Sequence, residues 1–233
     1  KSKVEYFSCF LNGHILEMNT KKYPAGFKRE ITFAFNKTFK KANNISISED
    51  DLFVDSGTMY EVFKAIVNGI PSISKLIHFS GNCLKASCFM DVKIGFRIRD
   101  IVDQLGGFKE QPSLVVINGL VCGYTVNNMD IPITKYVKSI SFVSEKDSFD
   151  RSIGICMRCG RCRIACDSKL SPDMIYANVI SGAAVEQVYI DSASLCTGCG
   201  VCSCVCPSKL PLTQVIKLLQ KEGKKMYNNY PNY

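Results

Sequence analysis

The stretch CMRCGRCRIACDSKL, residues 156–170, places four cysteines in the pattern C-x2-C-x2-C-x3-C, and CTGCGVCSCVCPSKL, residues 196–210, repeats that pattern. Three thiols spaced in this way let a tight loop wrap one corner of an iron–sulfur cube, with glycines where the chain must approach closely. In ferredoxins that carry two such runs, the fourth cysteine of each run binds the cluster of the other run. The doubled run therefore predicts two 4Fe–4S clusters with crossed ligation.

Crossed ligation divides the eight cysteines into two predicted ligand sets. The first cluster takes Cys156, Cys159, Cys162 and Cys206. The second cluster takes Cys196, Cys199, Cys202 and Cys166. These eight are the predicted cofactor-binding residues and metal ligands, and no catalytic residue is predicted. Because two clusters tied to one polypeptide at a fixed separation can pass electrons one at a time, the pattern predicts an electron relay.

Zinc binding and disulfide bonding are the competing uses of so many cysteines. A structural zinc site takes four ligands, usually from two pairs of residues, and the repeated pattern of three closely spaced cysteines followed by a fourth does not match that. Eight of the thirteen cysteines crowd into two short runs, a spacing that suits metal binding better than disulfides. The sequence therefore favours iron–sulfur clusters and a reducing compartment.

Five cysteines lie outside the predicted ligand sets. Cys204 lies inside the second run but out of register with its spacing, and four others are scattered: Cys9, Cys83, Cys88 and Cys122. A buried cysteine behaves as a small apolar residue, so these are interpreted as structural. His14 and His78 are interpreted in the same way, because neither is paired with a nucleophile.

The two runs differ in the charges that they carry. Asp167 follows the fourth cysteine of the first run, whereas Pro207 follows that of the second. A carboxylate beside the second cluster makes its reduction harder, so Asp167→Pro is expected to raise the potential of that cluster. Three arginines around the first run are expected to favour the reduced state of the first cluster: Arg158, Arg161 and Arg163.

The composition is that of a soluble globular protein. Of 233 residues, 46% are apolar and 21% are charged, and no window reaches the ~18 uninterrupted apolar residues of a membrane span. The formal net charge of +8 falls to about +4 when two clusters with their thiolates, each about −2, are included. The lysines are scattered and form no stripe interleaved with aromatics, so no nucleic-acid partner is predicted.

The sequence predicts an α+β fold in four segments. Residues 1–89 are predicted to be a mixed α/β part, and residues 90–145 a compact β-rich domain. After a polar joint at residues 146–150, residues 151–220 are predicted to form a helical two-cluster domain, and residues 221–233 a flexible tail.

Local patterns predict the elements within these segments. A helix is expected to begin at Thr58 as N-cap, with Glu61 completing a capping box, and to end at Gly69. The other expected elements follow in chain order: a strand at 75–81, a short helix at 98–105, strands at 113–119 and 138–144, a helix from Ser171 and Pro172, and an amphipathic helix at 211–225.

The order of these segments resembles the C-terminal two-thirds of the RnfC subunit of the Rnf electron transport complex. Besides the cysteine runs, the resemblance is carried by KKYPAGFKRE at 21–30, DSGTMYEVFKAIVNGIPSISKLIHFSG at 55–81 and CPSKLPLTQVIK at 206–217. It is also carried by three segments of the β-rich part: DVKIGFRIRDIVDQLGGF at 91–108, LVVINGLVCGY at 114–124 and DIPITKYVKSISFVS at 130–144. The resemblance implies an SLBB domain of β-grasp fold at residues 90–145 and a bacterial-ferredoxin-like domain at residues 151–220. It also implies that residues 1–89 are a remnant of a flavin- and NADH-binding domain.

The same resemblance implies a peripheral subunit on the cytoplasmic face of the cell membrane, with no membrane span of its own. In that family, NADH reduces a bound FMN, and two clusters carry electrons toward membrane subunits that couple the transfer to ion movement. The implied partners are the other subunits of the complex and ferredoxin. The implied activity is that of a subunit of an ion-translocating NADH:ferredoxin oxidoreductase.

The chain departs from that family at two places. The family's Gly-rich flavin and nucleotide loop lies before its Tyr-Pro motif, and residues 1–22 contain no such loop, so the sequence is interpreted as a fragment or a divergent form. FMN and NADH contacts are therefore not assigned to any residue. In the SLBB domain, residues 118–123 replace the usual Gly-Gly-Pro run.

Two other functions stay open on the sequence. A PduS-like flavoprotein that reduces cobalamin resembles this chain in combining SLBB and two-cluster modules, and its soluble partner distinguishes it from a membrane complex. A binding module whose clusters only stabilise the fold belongs to a different class. Crossed ferredoxin ligation argues against that second function.

Overall fold

The computed structural model divides the chain into two compact units, Lys1–Phe53 and Val54–Tyr233. It describes six stretches of the chain: residues 23–24, 26–43, 46–48, 50–148, 152–182 and 184–228. In the first unit, helix α1 covers Lys28–Asn43. The Asn36 side chain donates to the Ile47 carbonyl at 2.8 Å and accepts from the Ile47 amide at 2.9 Å, so it fastens the chain after α1 to the helix. Cys9 and His14 lie outside the described residues.

Helix α2, Ser56–Val67, belongs to the second unit and begins earlier than predicted. Its N-cap is Asp55, whose carboxylate accepts from the Thr58 amide at 2.7 Å. The prediction of Thr58 as N-cap is therefore wrong, and the predicted capping box does not form. Asp55 is the stronger cap because it also forms an ion pair with Lys138, a neighbour that the local sequence does not reveal. The predicted end of the helix is confirmed, since Gly69 follows it with φ of 66°.

The Asp55 cap leads to a prediction for α2. Asp55→Ala removes the capping oxygen and the ion pair, which destabilises the helix by about 1 kcal/mol. We therefore expect the amides of α2 to exchange with deuterium about fivefold faster. Hydrogen exchange measured by mass spectrometry, peptide by peptide, checks this result. Asp55→Asn keeps a capping oxygen without the charge and is expected to lie between the two.

The pH dependence of this effect follows from the ion pair. The hydrogen bond from Lys138 holds the pKa of Asp55 below its ordinary value of 3.8. A lowered carboxyl pKa adds stability above the ordinary value and loses it as the pH falls toward the folded-state value. The difference between the unchanged chain and Asp55→Ala is therefore expected to shrink below about pH 4. Equal exchange rates at pH 7 in the two chains would contradict the cap assignment.

A five-stranded sheet follows in the order β2-β1-β5-β3-β4. Its elements, with the helix that crosses it, are β1 Ser74–Ser80, β2 Cys88–Lys93, α3 Ile98–Gln104, β3 Leu114–Ile117, β4 Tyr124–Val126 and β5 Ser139–Val143. Strands β1 and β5 pair in parallel, with His78 opposite Ser139, and every other pair is antiparallel. The predictions of β1, α3, β3 and β5 are confirmed, whereas β2 and β4 were not predicted.

The core of the sheet joins parts that the sequence divides at residue 89. Its buried apolar side chains come from the strands, from α3 and from loops, including Ile77, Phe79, Ile98, Ile101 and Phe142. Strand β2 runs through the position between residues 89 and 90, and β1 lies beside β5. The local sequence does not predict pairing between strands so far apart in the chain. The alternation of apolar and polar residues shows which face of a strand is buried but not which strand lies beside it.

The cysteine-rich region is helical. Its helices are α4 Arg161–Ile164, α5 Pro172–Ile180, α6 Gln187–Ser194, α7 Val201–Cys204 and α8 Leu212–Asn228. Helices α5, α6 and α8 share a small apolar core: Ile175, Ile190, Ala193, Ile216 and Leu219. The predicted start of α5 is confirmed, with Ser171 as N-cap and Pro172 in the first turn. Helix α8 continues to Asn228, into the segment at 221–233 that the sequence predicts as a tail.

One five-stranded sheet and eight α-helices in the described part of the chain make the fold a mixture of α and β structure. This agrees with the predicted α+β class. The sheet and the cysteine-rich helices lie in the same compact unit. The cysteine runs therefore belong to the same packed unit as the sheet, and contacts from both the helices and the sheet region can position their loops.

Candidate functional site

Each cysteine run folds into the same local shape. Gly160 precedes α4 with φ of 74°, and Gly200 precedes α7 with φ of 84°. Past the end of each short helix the chain turns again through a left-handed lysine, Lys169 at φ 56° and Lys209 at φ 53°. The two runs are thus structural repeats, offset by forty residues in sequence. Positions that correspond in the two runs can be compared directly.

Cavity 1 lies between the first run and the end of the second. Four cysteines line it: Cys156, Cys159, Cys162 and Cys206. Ser208 donates to the Ile155 carbonyl at 2.7 Å, and the Gly154 amide donates to the Ser208 carbonyl at 3.0 Å. These bonds bind the chain that enters the first run to the end of the second. They explain how Cys206 comes to lie with three cysteines of the other run.

Cavity 2 has the reciprocal arrangement. Four cysteines line it: Cys166, Cys196, Cys199 and Cys202. The Leu170 amide donates to the Cys166 sulfur, and the Gly198 amide donates to the Cys196 sulfur, each at 3.4 Å. Backbone donors of this kind stabilise negative charge on sulfur. The fold thus brings each predicted set of four cysteines to one cavity.

The lining of both cavities combines cysteines with apolar side chains. Within the described residues, no group of three or more His, Cys, Asp or Glu side chains is arranged to hold a metal ion. Four cysteines at one cavity are the number of thiolate ligands that a 4Fe–4S cluster takes. Leu210 and Leu212 at cavity 1, and Leu170 and Ile216 at cavity 2, supply apolar walls. A cysteine-lined, partly apolar cavity has the donor set that an iron–sulfur cluster requires.

The wall of cavity 1 contains a buried carboxylate in an ion pair. Asp173 lines the cavity and is only 9% exposed. Arg163 donates to both of its oxygens, from Nε and from a terminal nitrogen, each at 2.7 Å. This hydrogen bond with Arg163 lowers the pKa of Asp173. The ion pair fixes the position of the Arg163 guanidinium, and the negative charge of Asp173 compensates its positive charge.

The other charges near the cavities lie as follows. Arg158 lines cavity 1, as the sequence led us to expect, but Arg161 lines a separate open groove with Ile164. Asp167 lines cavity 2, which is the place expected for its carboxylate. Of the three arginines expected to act together on the first cluster, Arg158 is the one that both faces cavity 1 and has no carboxylate offsetting it in the ion pairs of the described residues.

Cavity 2 has hydroxyl groups where cavity 1 has the ion pair. Thr213 corresponds to Asp173, and Ser203 corresponds to Arg163. The Thr213 hydroxyl lies 3.1 Å from the Cys202 sulfur. Ser203 accepts from the Thr213 amide at 2.9 Å and donates to the Thr213 hydroxyl at 3.1 Å. This pair was not predicted, although the forty-residue offset between the runs could have pointed to it.

Burial raises the pKa of three of the thiols that line the cavities. It raises the pKa of the Cys202 thiol to about 11, and the Thr213 hydrogen bond opposes that rise only in part. Burial likewise raises the pKa of Cys162 and of Cys196. A metal that binds these sulfurs displaces their protons, so binding and deprotonation occur together.

The second cysteine loop packs against the loop that follows β3. Lys217 donates from Nζ to the Cys122 carbonyl at 2.9 Å. A Cβ placed on Gly200 would stand 2.1 Å from the Val121 carbonyl oxygen. The loop at residues 118–123 therefore supports the rim of cavity 2. Nothing in the sequence of this loop alone connects it with cavity 2.

The remaining cysteines occupy different surroundings. All twelve cysteines in the described part of the chain are free thiols. Cys83 is buried in the core of the sheet, and Cys88 packs against it, which agrees with a structural role. Cys204 is exposed and lines the open groove with Arg161, so it does not behave as a buried apolar residue. His78, also interpreted as structural, stacks on Phe89 at 4.6 Å between ring centroids.

Comparison with known proteins finds relatives among the RnfC subunits of ion-translocating complexes. The chain is 30% identical over 154 residues to the RnfC subunit of the proton-translocating ferredoxin:NAD(+) oxidoreductase complex of Clostridium ljungdahlii, covering 66% of this chain and 34% of the relative. It is 24% identical over 151 residues to the RnfC subunit of the Na(+)-translocating ferredoxin:NAD(+) oxidoreductase complex of Acetobacterium woodii, covering 65% and 34%.

A third relative is the RnfC subunit of the ion-translocating oxidoreductase complex of Rhodobacter capsulatus, 25% identical over 161 residues, or 69% of this chain and 31% of the relative. No family model matches the chain. The chain thus spans about a third of the length of the curated relatives that it matches. These relatives confirm the resemblance to part of the RnfC subunit. No helix in the described part of the chain has the length and apolar character needed to cross a membrane.

Proposed function

We propose that this chain is an electron-transfer part of an Rnf-type complex, in which two 4Fe–4S clusters carry electrons between an NADH-linked flavin site and membrane partners. The single observation that carries the proposal is the pair of cavities, each lined by three cysteines of one run and the fourth cysteine of the other. This is the arrangement that crossed ferredoxin ligation requires. The similarity to RnfC subunits of ion-translocating oxidoreductases supplies the cellular context.

The proposed ligands follow from the two cavities. Cavity 1 would be occupied by a cluster on Cys156, Cys159, Cys162 and Cys206, and cavity 2 by a cluster on Cys166, Cys196, Cys199 and Cys202. When bound, each cluster takes up and releases one electron at a time. The chain supplies sulfur ligands, amide donors to sulfur and apolar walls. Leu210 and Leu212 restrict water at cavity 1, and burial of this kind is one of the factors that set a cluster's potential.

We also propose that the second unit consists of an SLBB domain and a ferredoxin-like domain. The strand order supports the first assignment, since the first and last strands pair in parallel at the centre and one helix lies between β2 and β3. That arrangement is typical of a β-grasp fold. The repeated cysteine loops, each followed by a short helix and then a longer one, support the second assignment.

The proposed partners are the other subunits of the complex, with ferredoxin as a further electron carrier. NADH and FMN would bind elsewhere in the assembly or in a longer form of the protein, and no residue of this chain is assigned to them. The proposed location is the cytoplasmic face of the cell membrane, held there by membrane partners. The complex and ferredoxin come from the names of the relatives, which are C subunits of ion-translocating ferredoxin:NAD(+) oxidoreductase complexes. FMN and the cytoplasmic face come from the family resemblance in the sequence.

Anaerobic reconstitution of the whole chain with iron and sulfide tests the proposal. We expect about eight iron and eight sulfide per chain, four of each for every cluster, and two reversible one-electron reductions in a titration followed by visible absorbance. Tight binding of zinc in place of iron would contradict it, and so would a single cluster. Two clusters that resist reduction would favour a binding module with structural clusters instead. Co-purification with a cobalamin enzyme, and not with membrane subunits, would favour the PduS-like alternative.

A further inference from the structure

One difference between the two cavities involves two corresponding positions whose side chains contact each other. In the first run this pair is Arg163 and Asp173, which form an ion pair. In the second run it is Ser203 and Thr213, which form a network of hydroxyl groups. Asp173 lines cavity 1 and Thr213 lines cavity 2, so the difference lies directly beside the proposed clusters. The local fold is otherwise repeated, and the exchange of charged for neutral groups stands out against it.

We propose that Thr213 is a positioning residue that donates a hydrogen bond to the Cys202 sulfur and thereby raises the reduction potential of the cluster in cavity 2. The proposal rests on the proposed function, because it assumes that a cluster occupies that cavity. The oxygen and the sulfur lie 3.1 Å apart, and the threonine and the cysteine are 3% and 8% exposed. Water therefore competes little for this bond.

The direction of the hydrogen bond follows from the chemistry of a bound sulfur. A thiolate that ligates iron has no proton to donate, so the Thr213 hydroxyl must be the donor. Ser203 helps to orient that hydroxyl, because its oxygen accepts from the Thr213 amide at 2.9 Å. Its one proton is shared between the threonine oxygen at 3.1 Å and Gln214 Oε1 at 3.3 Å. With its oxygen accepting from Ser203, the threonine proton is free to point toward the sulfur.

The first run has no side-chain donor at this position. The Asp173 carboxylate accepts two hydrogen bonds from Arg163 and, as a paired anion, carries no proton for the Cys162 sulfur. At Cys162 the backbone amide of Asp173 acts on the sulfur instead, and it lowers the pKa of that thiol against the effect of burial. A hydrogen bond to a ligand sulfur stabilises the additional negative charge that reduction brings, and so favours the reduced state. Cavity 2 therefore has a hydroxyl donor that raises its cluster's potential, and cavity 1 has no side-chain donor at the corresponding position. The Asp167 carboxylate, which also lines cavity 2, is expected to lower the potential of the same cluster. Substituting Thr213 and Asp167 one at a time separates the two effects on that potential.

Redox titration of Thr213→Val in the whole reconstituted chain tests the proposal. Valine keeps the shape of threonine and removes the hydroxyl. We expect the midpoint potential of one of the two reductions to fall by about 59 mV, which is a tenfold change in the one-electron equilibrium constant in favour of the oxidised form. The midpoint potential of the other reduction is expected to stay unchanged. The unmoved reduction serves as the internal control. Thr213→Ser restores a hydroxyl and is expected to recover most of the shift, and Ser203→Ala is expected to produce a smaller one.

The outcomes separate this inference from the proposed function. If the unchanged chain binds no cluster or shows no reversible reduction, the proposed function fails and this inference fails with it. If the unchanged chain shows two reductions and Thr213→Val moves neither, only the inference is overturned. If Thr213→Val does not assemble its second cluster, Ser203→Ala carries the test, since it leaves the threonine in place. An unmoved pair of potentials in that variant would then overturn the inference.

Discussion

Replacing Cys206 with alanine is expected to remove the cluster of cavity 1, although Cys206 belongs to the second run. The reason is its place in the wall of cavity 1, beside three cysteines of the first run. Loss of one of four ligands leaves an open iron site, so we expect the iron content to fall to about half. Iron and sulfide analysis after reconstitution measures this change.

Alkylation of thiols in the native protein identifies which cluster is lost. With crossed ligation, three thiols become reactive in Cys206→Ala: Cys156, Cys159 and Cys162. The thiols of the second run stay protected. Cys204→Ala is the matched control, because it lies two residues away in the same run and lines neither cavity. Exposure of Cys196, Cys199 and Cys202 in Cys206→Ala would contradict crossed ligation.

Gly200→Ala is expected to be strongly destabilising. Gly200 has φ of 84°, and an added Cβ would stand 2.1 Å from the Val121 carbonyl oxygen and 2.8 Å from the carbonyl carbon. A backbone contact this short cannot be relieved by a side-chain rotation, so the loop at residues 118–123 or the second run must move. We expect a loss of about 3 kcal/mol in the free energy of unfolding, measured by urea denaturation under anaerobic conditions.

Gly160→Ala is the matched control for this substitution. Gly160 holds the same position in the first run with φ of 74°, but no described atom lies within 4 Å of its added Cβ. It therefore carries the left-handed backbone strain without the collision, for which we expect about 1–2 kcal/mol. Equal losses in the two variants would show that the second run does not pack against the loop at residues 118–123.

The cysteine spacing leads to a definite prediction of two ligand sets. Three cysteines of a run bind one cluster, and the fourth binds the cluster of the other run, as in two-cluster ferredoxins. Each predicted set of four cysteines lines one cavity. That these sets ligate two clusters stays a prediction.

The surroundings of the two cavities could not be predicted in this way. Arg163 was expected to act on the first cluster as a free charge, but Asp173 holds it. The contact of Lys217 with Cys122 joins residues far apart in the chain, as does the pairing of His78 with Ser139. Such contacts depend on tertiary packing, and periodicity or spacing within one segment does not specify them.

Electron paramagnetic resonance of the fully reduced, reconstituted chain tests the central claim most directly. If two clusters occupy the neighbouring cavities and act as a relay, their unpaired electrons interact, and the spectrum of the fully reduced protein is expected to differ from the sum of two isolated signals. In Cys206→Ala the interaction is expected to vanish and a single signal to remain. A spectrum of two independent clusters, of one cluster, or of none in the unchanged chain would contradict the claim of a two-cluster relay.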